Sequence, residues 1–170
     1  YEYYTSFEDS AAAGFIAQGG FEIGEPDYAL GPAAAGSGAN CWGTNLTGAY
    51  LNSAFATLTS PEFDISAMTS PVMQINHWYQ IEGYYDGGNV KISTDGGNTW
   101  ILLLPEIDYP ADSVYSSNAG IPGEQAYSGT TVGNFWHTVQ FNLNASDSLV
   151  QFRFDFGSDT FLQYAGWYID

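Results

Sequence analysis

In the stretch "IEGYYDGGNV", Glu82, Tyr84, Tyr85 and Asp86 set two carboxylates around two phenol rings. That combination suits a sugar. Carboxylates accept hydrogen bonds from hydroxyl groups, and tyrosine rings stack on the apolar faces of sugar rings. The competing use of Tyr84 and Tyr85 is to cap the edge of a packed core. Further rings fall in segments without strand or helix periodicity: Trp42 in "NCWGTN", then Tyr50, Tyr109, Tyr115 and Tyr127. The chain has 5 Trp and 13 Tyr, more than a core of this size requires, so some are expected at the surface. Trp42, Tyr50, Tyr109, Tyr115 and Tyr127 join Glu82, Tyr84 and Tyr85 as the expected ligand-contact set.

Catalytic chemistry finds less support. His77 and His137 sit in alternating runs on the side of large apolar neighbours, the pattern of buried structural histidines. No H-E-x-x-H helix and no G-x-S-x-G elbow occurs. A glycosidase needs two carboxylates facing across a groove, but 19 Asp and Glu make chance pairs unavoidable. Cys41 is the only cysteine, which excludes an internal disulfide and a multi-thiolate zinc site. It also lacks the cationic neighbour that activates a thiol. The chain reads as a non-enzyme.

Against those 19 acids stand two basic residues, Lys91 and Arg153, for a formal net charge of -17. Nucleic acid is excluded as a partner because phosphate binding draws on Lys and Arg, and an anionic membrane surface is disfavoured likewise. Membrane insertion is excluded by the lack of a long apolar run. Disorder is excluded too, since 45% of residues are hydrophobic and 17% aromatic. The acidity fits a solvated surface, or carboxylates gathered around a divalent cation such as calcium.

The elements that position these residues are strands. Period-two alternation runs through "PVMQINHWYQIE", "NVKISTD", "FWHTVQFNL" and "LVQFRFDFG", with further strands expected at "YEYYTSFE", "ATLTSPEF", "TWILLLP" and "AGWYID". Asp-Gly-Gly appears at 86–88 and again at 95–97. A phosphate loop would lead from strand to helix, whereas both copies here flank a strand, so both read as tight turns. The fold expected is all-β, an antiparallel two-sheet β-sandwich or jelly roll, in one domain over residues 1–170. Residues 9–50 and 105–134 are expected as long end loops, where binding sites tend to lie. Neighbouring first and last strands in such a fold would bring Glu8 and Asp9 close to Asp170. Those three carboxylates form the expected calcium site, the alternative being that they are solvent-exposed strand ends.

The blocks "TSPEFDIS", "INHWYQIEGYYDGGNVKISTDGGNTWILL", "FWHTVQFNL", "VQFRFDFGSD" and "GWYID" follow one another as they do in a known group. Over roughly Phe7 to Asp170 the chain resembles the jelly-roll modules appended to bacterial immune inhibitor A metallopeptidases, which are similar to MAM domains. The resemblance implies an accessory module of a larger secreted or cell-surface protein, acting in adhesion or carbohydrate recognition and often associated with calcium. The partner it implies is a glycan or cell-surface polymer. Relatives continue past "GWYID" into a final strand, so a missing last strand is expected here. That edge, with the aromatic start, offers an alternative role: self-association as the structural subunit of a surface layer or filament.

Overall fold

Two antiparallel sheets face each other in the computed structural model, which describes residues 3–8 and 14–170. One sheet runs β1 (Ile16–Gln18), β4 (Phe55–Thr59), β10 (Leu149–Gly157), β7 (Gly87–Ser93) and β8 (Ile101–Leu102), with β5 (Phe63–Asp64) also beside β10. The other runs β2 (Glu22–Gly24), β3 (Cys41–Gly43), β11 (Gly166–Ile169), β6 (Val72–Gln80) and β9 (His137–Asn142). Because the chain repeatedly crosses between sheets, the architecture is the expected jelly-roll sandwich. A short 3-10 segment spans Val132–Asn134.

Alternation builds the core. Val150, Phe152, Phe154 and Phe156 of β10 point inward against Ile75, His77 and Tyr79 of β6 and Trp167 and Ile169 of β11, all buried. Burying each large apolar side chain contributes about 2–3 kcal/mol. Trp167 lies at the centre, its ring centroid 6.0 Å from those of Phe154 and Tyr127 and 6.3 Å from that of Phe21. A second cluster covers the outer face of the other sheet, where Cys41, Leu46, Trp78, Ala165 and Tyr168 pack under Tyr28, Ala35 and Trp136. On the outer face of β10 and β7, buried Asp155 takes both cations of the chain: Lys91 Nζ at 3.0 Å and Arg153 Nε at 2.6 Å.

Several expectations need correction. Residues 3–8 form no strand, while three short strands, β1, β2 and β3, lie inside the expected 9–50 loop. Their three-residue lengths are too short for alternation to register. The first Asp-Gly-Gly is not a turn. Gly87 and Gly88 open β7, and a Cβ on Gly88 would stand 2.3 Å from the Trp167 ring, so close approach demands glycine there. The second copy is a turn, joining β7 to β8 with Gly96 and Gly97 at φ of 72° and 83°. Within its sheet β11 lies between β3 and β6, paired with both.

Candidate functional site

Four segments meet at one end of the sandwich. The crossover 81–86 between β6 and β7 carries Glu82, Tyr84, Tyr85 and Asp86, and beside it run residues 49–53, 113–121 and 157–164. Tyr84 adopts a left-handed φ of 68°, unusual for an aromatic residue, and is pinned on both sides. Its N–H donates to Ser128 Oγ at 2.8 Å, and its carbonyl accepts the Tyr115 N–H at 2.8 Å. Tyr115 in turn stacks on Tyr85 with centroids 4.6 Å apart and planes 17° from parallel. Asn118 fixes that arrangement by donating from Nδ2 to the Tyr85 carbonyl at 3.0 Å. Tyr84, Tyr85 and Tyr115 are thus exposed yet held, and an open cavity of about 440 Å³ is lined by Tyr84, Ser113, Val114 and Tyr115.

Behind the rings lies a group of carboxylates. One oxygen each from Glu82, Asp86 and Asp159 fall within 4.8 Å of one another, and Asp86 and Asp159 are buried. Asp86 accepts the Tyr50 hydroxyl at 2.7 Å and the Asp159 N–H at 2.6 Å. Asp159 accepts the Phe161 N–H at 2.8 Å and Ser117 Oγ at 3.3 Å. Glu82 Oε2 is sealed from solvent and has no hydrogen-bond partner. Burial, with Asp159 and Glu82 nearby, pushes the Asp86 carboxyl up to about 6 against the pull of its hydrogen bonds. Burial and Asp159 raise Glu82 as well. Hard oxygen ligands gathered in this way suit calcium, whose charge would relieve the repulsion among them.

Glu82, Tyr84, Tyr85 and Tyr115 therefore come together. The other expected ligand contacts are not on this exposed surface, and the correction has one cause: the segments that carry them are buried against the sheets. Trp42 sits in β3, and Tyr50, Tyr109 and Tyr127 are equally buried, none more than 4% exposed. Tyr109 Oη accepts the Val90 N–H and donates to the Leu103 carbonyl, while the Tyr127 ring packs 4.5 Å from His77. Tyr50 has a role that its sequence context hid, since its hydroxyl also accepts the Glu82 N–H at 3.1 Å and so positions two members of the carboxylate group. His77 is buried and held by its neighbours, its pKa pulled down to about 3 by burial and by His137. His137 is half-buried.

Of the expected calcium ligands, Asp9 lies outside the described residues. Glu8 and Asp170 both reach the loop 36–40. Glu8 Oε1 accepts the N–H groups of Ala39 and Asn40 at 3.0 and 2.8 Å, and Asp170 accepts the N–H and hydroxyl of Ser37. Asp159 completes the carboxylate group although "FGSD" carries no local signal that it folds beside Glu82.

Fold and site together define a jelly-roll module with an exposed aromatic surface backed by acids. Over 99% of its length it is 31% identical to a segment of Bacillopeptidase F from Bacillus subtilis (strain 168), across 172 residues. The chain spans about a tenth of that relative's length, the match covering 10% of it. Among solved structures, the K2 cleaved adhesin domain of Lys-gingipain superposes with a TM-score of 0.53 at 16% identity, covering 96% of this chain and 90% of that one. The fold is therefore shared. The K1 cleaved adhesin domain from Porphyromonas gingivalis W83 gives 0.42 at 15% identity, over 92% and 97% of the two chains. No protein-family model matches the sequence.

Proposed function

We propose that this chain is an extracellular, non-catalytic accessory module of a peptidase-type protein, binding carbohydrate on a cell surface or polymer through Tyr84, Tyr85 and Tyr115. The observation that carries this reading is that Tyr84 and Tyr115 line an open cavity on main chain fixed by hydrogen bonds, Tyr84 in a left-handed conformation, while exposed Tyr85 stacks on Tyr115. A fixed main chain and a preformed ring stack reduce the entropy lost on binding. The likeness to Bacillopeptidase F supports an accessory role, because most of that protein lies outside the match. Calcium belongs to the proposal as the ion held by Glu82, Asp86 and Asp159, where Tyr50 and Ser117 supply the surrounding hydroxyl groups.

A soluble glycan panel, probed with and without calcium, tests the binding. Capture of at least one glycan, lost in Tyr115→Ala, is the expected result; no capture by the folded wild type in either condition overturns it. A thermal melt tests the ion separately, since a ligand of the native state raises the transition. Calcium is expected to raise it over chelator in the wild type and leave Asp86→Asn unmoved. An equal rise in both would remove the ion from this site.

A further inference from the structure

The surroundings of the Tyr84 and Tyr115 cavity carry charge of one sign. Glu82 stands two residues before Tyr84 and Asp86 one residue after Tyr85, exposed Asp112 precedes the lining Ser113, and Asp159 is bonded to Ser117, two residues past Tyr115. Both cations of the chain are committed elsewhere, to Asp155 on the sheet. An anionic sugar would meet ring faces under a negative potential, with no guanidinium or ammonium nearby to offset it. An ammonium group would meet the reverse. The negative face of a tyrosine ring attracts a cation, and carboxylates within a Debye length add to that attraction. A calcium ion on the triad does not cancel this field, because three carboxylates exceed one divalent cation in charge.

We infer that the ligand class of this surface is a glycan carrying free amino groups, an oligosaccharide of de-N-acetylated hexosamine, with its ammonium groups against Tyr84 and Tyr115. The inference rests on the carbohydrate reading above and narrows it. Its overall net charge of -17 draws such a polymer toward the module, and the rings supply the contact that makes the attraction local.

Isothermal titration with fully deacetylated chito-oligosaccharide and with its N-acetylated counterpart separates the possibilities, because the two differ only at the amine. The protein is the wild type and the double variant Tyr84→Ala/Tyr115→Ala, whose net charge is unchanged and whose lost rings are exposed, with thermal melts confirming that it folds. Expected is binding of the deacetylated form about tenfold or more tighter than the acetylated one, weakened by salt, and weakened about tenfold or more in the double variant. Equal or tighter binding of the acetylated form overturns the amine inference and leaves the carbohydrate reading standing. Deacetylated polymer held equally by wild type and double variant shows association through bulk charge alone, and overturns it too. Binding of neither form overturns the amine inference, and the glycan panel alone then decides the carbohydrate reading.

Discussion

Asp86 concentrates the problem that the site must solve. Its carboxyl is buried, it accepts two hydrogen bonds, and burial with two acidic neighbours still lifts it to about 6. A folded-state pKa above the unfolded one adds stability that is fully present below the unfolded value and is lost as pH rises through the folded value. Without divalent metal, Asp86 therefore weakens the fold between about pH 4 and pH 7, by about 3 kcal/mol for a shift of about two units. Asn at this position keeps an acceptor for the Asp159 N–H and offers Tyr50 a donor. Urea unfolding in chelator should show Asp86→Asn gaining on the wild type by that amount as pH rises over this window, and calcium should erase the gain. A constant difference between the two proteins would mean that Asp86 is not strained by its neighbours. The Glu82 to Asp86 cluster was visible in the sequence as sugar-like chemistry. Its partners Tyr50 and Asp159 were not, because the bonds that unite them span 36 and 73 residues.

The two Asp-Gly-Gly copies show how one local signal serves two elements. At 95–97 the glycines take left-handed angles, and Asp95 accepts bonds from Ser93 Oγ at 2.7 Å and the Thr99 N–H at 2.9 Å, as the turn reading expects. At 86–88 the same letters begin a strand against Trp167. Gly96→Ala adds a methyl to open space and should cost only the left-handed strain, about 1–2 kcal/mol. Gly88→Ala drives a Cβ into a buried indole and should cost about 3 kcal/mol or more, beyond ordinary overpacking because strand and ring are both fixed. Comparing their urea midpoints checks this, and similar losses would contradict the assignment of Gly87 and Gly88 to β7. Long strands such as β6 and β10 were legible because nine residues give alternation room to repeat. Three-residue strands and buried loop aromatics were not, since their place depends on what folds over them.

At the scale of the molecule, self-repulsion and one buried ion cluster oppose each other. Most of the charge behind the formal -17 is solvent-facing carboxylate, and the two cations do not dilute it, because both sit on Asp155. Raising salt from about 0.01 M to about 0.15 M shortens the Debye length from about 30 Å to about 8 Å, which screens surface repulsion and leaves the buried cluster largely untouched. The wild type should therefore melt higher as salt rises, even in chelator and with no specific ion added. Asp155→Ala strands Lys91 and Arg153, which keep only Glu124 at 2.8 Å and the Trp100 face at 4.7 Å from the guanidinium carbon. Breaking a buried pair from one side costs about 3–5 kcal/mol. The variant should start lower by that amount and rise with salt in parallel with the wild type, because the lost interaction was never a screened one. If salt restored the variant to the wild-type level, the Asp155 cluster would be acting as a surface ion pair, and the outer face of β10 would have to be more open to solvent than its packing shows.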